Sequence, residues 1–66
     1  MNMSKLDQFC ERTGLTRDSV HLVTSTGVVL ASSVDTTGLD VVDFCDANGV
    51  HIGFIDGNYV EKTSAQ

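Results

Sequence analysis

The sequence predicts an α+β fold made by internal duplication, αββαββ, with two helices on one face of a four-stranded antiparallel sheet. Three observations predict it. The stretch Phe44-Cys45-Asp46-Ala47-Asn48-Gly49-Val50-His51-Ile52 nearly restates Phe9-Cys10-Glu11-Arg12-Thr13-Gly14, followed after Leu15 to Ser19 by Val20-His21-Leu22. Seven residues past each valine stands another glycine, Gly27 or Gly57. Each copy offers one stretch of helical period and one hairpin signal, and neither half buries its apolar surface alone. The copies span about residues 4–33 and 37–62 of a single small domain, and Thr63 to Gln66 form a frayed polar tail.

The first helix runs from Lys5 to Thr13. Ser4 is a good N-cap, with Asp7 three residues on; Leu6, Phe9 and Cys10 share one face, and Gly14 supplies the left-handed stop. Leu15 to Ser19 connect, with room for one turn of helix. Ser19–Ser25 and Val28–Ser33 are strand-forming runs about a Thr26-Gly27 turn. Val20 and Leu22 then face one way, His21 and Val23 the other. Val34 to Thr37 make a polar loop.

Leu39 to Asn48 reads as the second helix. As a strand it would put Asp40 with Phe44 and Val41 with Asp43. At about 100° per residue, Val41, Val42, Phe44 and Cys45 instead share one side, while Asp40, Asp43 and Asp46 gather on the other. Thr37 with Asp40 repeats the capping pattern, and Asn48-Gly49 repeats the stop. Val50–Ile55 and Tyr59–Lys62 follow as a hairpin about Asp56-Gly57-Asn58, with Val50, Ile52 and Phe54 pointing inward. Gly53, at the repeat position of Val23, marks a bulge or a close approach of another backbone. The outer sheet face carries His21, Val23, His51 and Ile55.

At 66 residues the chain buries only about 60% of its unfolded surface, so its core is thin. Two cysteines allow one bridge at most, and both read as buried thiols of a reducing compartment. No run reaches membrane-spanning length and no leader pattern opens the chain, so a soluble cytoplasmic protein is expected. The net charge is −5, and from Asp18 through Glu61 there are seven acids without a lysine or arginine. Such a surface cannot neutralise phosphates, which disfavours nucleic acid and anionic lipid and favours a basic partner.

Catalytic chemistry finds no foothold. Cys10, Cys45, His21 and His51 form two matched pairs. They lack the tight spacing of zinc ligands, and the expected fold puts cysteines and histidines on opposite sides of the sheet. The same separation and the raised pKa of a buried thiol exclude a Cys-His nucleophile. Asp40 and Asp43 sit on a convex solvated helix face, with no pocket to shift a carboxyl pKa. No glycine-rich loop cradles phosphate, and a helix-turn-helix through Leu6 to Val20 would run into strand. No cofactor or metal is expected, and no enzyme.

Val20 to Ser33, a strand, a glycine turn and a valine-rich strand ending in small residues, resembles the first hairpin of roadblock-type domains over about a fifth of the chain. The third strand and closing helix of that family are missing. In size, acidity and want of catalytic motifs, the whole chain is similar to small phage-encoded inhibitors such as anti-CRISPR or anti-restriction proteins. That likeness is one of type, and it implies work in the host cytoplasm.

Two functions follow as expectations. The first is a non-enzymatic inhibitor that blocks a basic, nucleic-acid-handling protein through Asp40, Asp43 and Asp46 on the second helix, with Asp35, Asp56 and Glu61 beside it. The second is a homodimeric structural or adaptor module that associates through His21, Val23, His51 and Ile55.

Overall fold

A computed structural model describes residues 3–63 of the chain. One helix, α1 (Lys5–Thr13), precedes five strands: β1 (His21–Thr24), β2 (Gly27–Leu30), β3 (Val41–Cys45), β4 (His51–Asp56) and β5 (Tyr59–Lys62). Short 3-10 turns at Arg17–Ser19 and Ala31–Ser33 flank the first hairpin. The strands form one antiparallel sheet in the order β2-β1-β3-β4-β5. The fold is α+β, and the αββαββ order is corrected. Among the described residues there is one α-helix and not two, and five strands and not four. The two look-alike segments fold differently, Phe9-Cys10 on a helix and Phe44-Cys45 on a strand.

α1 forms where its local signals put it. The Ser4 hydroxyl accepts the Asp7 N–H at 3.1 Å, and Gly14 closes the helix at φ 79° by donating to the Cys10 carbonyl. Its stripe of Leu6, Phe9 and Cys10 is buried together with Val20, Leu22, Ala31, Val42, Phe44 and Ile55. A cap unseen in the sequence comes from 30 residues away: the Leu6 N–H donates to the hydroxyl of Thr36, 1% exposed, at 3.1 Å. Helix N-termini leave such donors without intrahelical partners, and a buried one is costly to orphan. Thr36→Val keeps the shape and removes the acceptor. It should lower unfolding free energy by about 1–3 kcal/mol in urea titration, with Thr36→Ser recovering most of the loss.

Leu39–Asn48 is not a helix. Val42 and Phe44 point into the core, while Val41 and Asp43 face out. Asp40 lies before the strand and escapes the alternation. The residues read as a helix stop build the β3–β4 turn. The Asp46 carboxylate accepts the N–H groups of Asn48 (2.8 Å) and Val50 (3.0 Å), and Gly49 takes φ 84°. The supposed cap at Thr37 is likewise a turn, in which its N–H donates to Asp35 at 3.0 Å. Thr63 donates its N–H to the Ile52 carbonyl; the rest of the expected tail, 64–66, lies outside the described residues.

β4 carries the expected irregularity. The pairing with β3 slips between Phe44↔Gly53 and Cys45↔His51, so Ile52 is the extra residue of a β-bulge. Ile52 and Gly53 both turn to the core side, and the facing order reverses across them. Gly53 has no room for a side chain, because the Phe9 ring lies on it and the β5 backbone runs beside it. Ile55 is therefore fully buried, not on the outer face, and Val50 and Phe54 do not point inward as read from the sequence. The hairpins close as two-residue turns, Ser25-Thr26 and Gly57-Asn58; Gly57 at φ 60°, with no positive φ at Asn58, suits a type II′ turn.

Candidate functional site

α1 packs across β4 and β5 and covers one face of the sheet. Among the described residues no helix covers the opposite, open face, and the strand registers write its contents row by row, since residues directly opposite in antiparallel strands share a side. One row is Asp43–Phe54–Glu61, running across β3, β4 and β5. The next is Val41–Asp56–Tyr59. A third, Leu30–His21–Cys45–His51, crosses β2, β1, β3 and β4. Val23 and Val28 complete the β1–β2 end.

Three of the six acids named from the sequence, Asp43, Asp56 and Glu61, thus come together on this face, all exposed. The other three do not join them. Asp35 sits in the loop after β2, Asp40 precedes β3, and Asp46 is spent on the β3–β4 turn. The ridge of Asp40, Asp43 and Asp46 along a helix therefore does not exist, because alternation along an extended chain separates residues three apart.

Between the acids lie aromatic groups that sequence reading missed. Phe54 and Tyr59 pair diagonally with ring centroids 5.9 Å apart, and Tyr59 is 57% exposed. The Tyr59 hydroxyl donates to Glu61 at 2.7 Å, and that bond to a carboxylate raises the phenol pKa above its ordinary value. The two-residue turn Gly57-Asn58 was the available signal, since it alone fixes Asp56↔Tyr59 and Phe54↔Glu61 as facing pairs.

No lysine or arginine among the described residues shares this face. Lys5 and Arg12 are on α1, Arg17 pairs with Asp7 of α1, and Lys62 faces Gly53 on the helix side. Asp43 and Glu61 stand two strands apart, about 10 Å from each other across the half-buried Phe54, with Asp56 on the diagonal to both. Carboxylates can accept charge-assisted hydrogen bonds from guanidinium and ammonium groups, and aromatic rings can attract such cations.

The histidine row corrects one sequence argument. Cys10 is in the core under α1, as expected, but Cys45 is on the open face between His21 and His51. It is only 4% exposed, and Gly49 of the β3–β4 turn lies with it along one cleft. His51 Nε2 lies 3.5 Å from Asp43 Oδ1, and its Nδ1 lies 3.3 Å from the Thr63 hydroxyl. A cleft of about 250 Å3 opens here, lined by Val23, Asp43, Phe44, Cys45, Gly49 and His51. Burial, with Asp46 adding its charge, pushes the Cys45 thiol above its ordinary pKa, which withholds the thiolate that nucleophilic chemistry needs. Among the described residues, no three histidine, cysteine or acidic side chains converge as metal ligands. No helix among them is long and apolar enough to cross a membrane.

The chain matches no protein-family model, no curated protein and no solved structure.

Proposed function

We propose that this protein is a non-enzymatic binding module that engages a basic protein surface with the open face of its sheet. By occupying that surface it inhibits a nucleic-acid-handling partner. The observation that carries the reading is Asp43, Asp56 and Glu61 placed around Phe54 and Tyr59 on a face without lysine or arginine among the described residues. A net charge of −5 adds long-range attraction for a basic partner and repels phosphate, so the partner is a protein and not a nucleic acid. Release at high salt should accompany such binding, because the charges are exposed and screened within about 10 Å at 0.1 M salt.

Charge reversal tests this directly. The immobilised chain, a D43K/E61K variant and a D35K/D40K variant are offered the same cell extract. Retained proteins are identified, then titrated in purified form at several salt concentrations. Basic nucleic-acid-binding proteins should stay on the wild-type and D35K/D40K chains and leave the D43K/E61K chain, with at least about a hundredfold loss of affinity for two lost charge pairs. Equal capture by all three chains would remove the open face from the function. So would partners that bind with no salt dependence.

A further inference from the structure

We infer that β2 is a self-association edge, along which two copies of this chain join their sheets through a two-fold axis into one continuous sheet of ten strands. The two outer strands of the sheet are β2 and β5, and they are built differently. β5 carries Glu61 and Lys62, the kind of charge that keeps an edge from pairing with another chain. β2 is Gly27-Val28-Val29-Leu30, with no charge, no proline and no bulge. Its residues Val28 and Leu30 are 39% and 41% exposed.

The backbone of β2 offers its free groups in a usable pattern. The two-residue turn makes Thr24↔Gly27 a hydrogen-bonded pair, and at the other end the Ala31 N–H donates to the Val20 carbonyl at 3.0 Å. Hydrogen-bonded and non-bonded pairs alternate between them, so Val23↔Val28 and His21↔Leu30 are the non-bonded ones. The N–H and C=O groups of Val28 and Leu30 therefore point away from β1. The Leu30 carbonyl accepts the Ser33 hydroxyl at 2.7 Å, where the chain turns into Ala31–Ser33. A two-fold axis at Val29 would set Val28 opposite Leu30 of the second copy and Leu30 opposite its Val28, closing both pairs of bonds.

Charge identifies the occupant as a second copy. From Ser19 through Val34 the chain has no Asp, Glu, Lys or Arg, in a molecule of net charge −5. Along this segment two such molecules can meet without bringing acids together. Packing open face on open face would instead press Asp43, Asp56 and Glu61 against their copies. Joining at β2 also leaves both acidic faces free and puts the charged β5 edges outermost, so growth stops at two. Four strand residues a side bury little area, and the dimer is correspondingly weak.

The test is sedimentation equilibrium of the full chain over a range of concentrations, together with amide hydrogen exchange at the lowest and highest. A dimer is expected, with Val28 and Leu30 amides that exchange freely when dilute and gain protection when concentrated. V28K/L30K should raise the dimer dissociation constant about a hundredfold by placing charge in an apolar seam. Tyr59→Lys on the other edge should leave it unchanged. A chain that stays monomeric at every concentration overturns the inference, as does a dimer whose Val28 and Leu30 amides gain nothing. If V28K/L30K loses its fold by circular dichroism, wild-type exchange at the two concentrations decides alone.

Discussion

Gly53→Ala should be among the most damaging single substitutions in this protein, lowering unfolding free energy on the order of 3 kcal/mol. The added methyl would sit 2.5 Å from the Glu61 carbonyl oxygen and 2.8 Å from Cε1 and Cζ of the Phe9 ring. The ring could shift, but the carbonyl belongs to the β5 backbone, paired with β4 along its length. Gly53 also holds φ 154°, a conformation that side chains resist. Overpacking and backbone strain each cost about 1–3 kcal/mol. For a domain this small, total stability is roughly 3–10 kcal/mol, so the variant approaches unfolding. Its melting temperature should fall about 4–8 °C for each kcal/mol lost. Gly38 has nothing within 4 Å of its would-be methyl and no positive φ, so Gly38→Ala is the control and should be nearly neutral. A Gly53→Ala loss under about 1 kcal/mol would mean that the Phe9 ring and β5 do not lie on this glycine.

Gly53 also marks how far local reading reached. The first helix was legible because Ser4, Asp7 and Gly14 act on backbone groups within a few residues of themselves. The hairpins were legible from Gly27 and Gly57, and the bulge from a glycine inside a strand. Val41–Cys45 was misread because its decisive partners are distant. Cys45 faces outward yet is buried, so the segment carries two adjacent buried residues, Phe44 and Cys45, as a helix stripe would. Pairing with β1 on one side and β4 on the other then overrides helical periodicity. The acids were recognised as a group, but which of them share a face depends on strand register. That register follows from a bulge whose exact phase the sequence does not print.

The near-repeat of Phe9-Cys10 and Phe44-Cys45 therefore records no shared fold, yet it does mark the centre of the core. The two phenylalanines are fully buried and stack with centroids 4.4 Å apart at 31°. Phe9 joins α1 to the sheet by lying between Phe44 and the floor at Gly53. Phe9→Ala should cost about 3–5 kcal/mol, the ordinary range for emptying a buried phenylalanine site, and so most of this protein's stability. Phe9→Leu should cost much less, since it keeps most of the volume. The informative experiment joins the two sites. In a Phe9→Leu background the ring atoms that a methyl at position 53 would strike are gone, while the Glu61 carbonyl remains. The double variant should therefore be more stable than the summed single losses predict, by about 0.5–3 kcal/mol in a urea-denaturation cycle. Strict additivity would assign the whole Gly53→Ala penalty to the β5 backbone and would deny that Phe9 rests on Gly53.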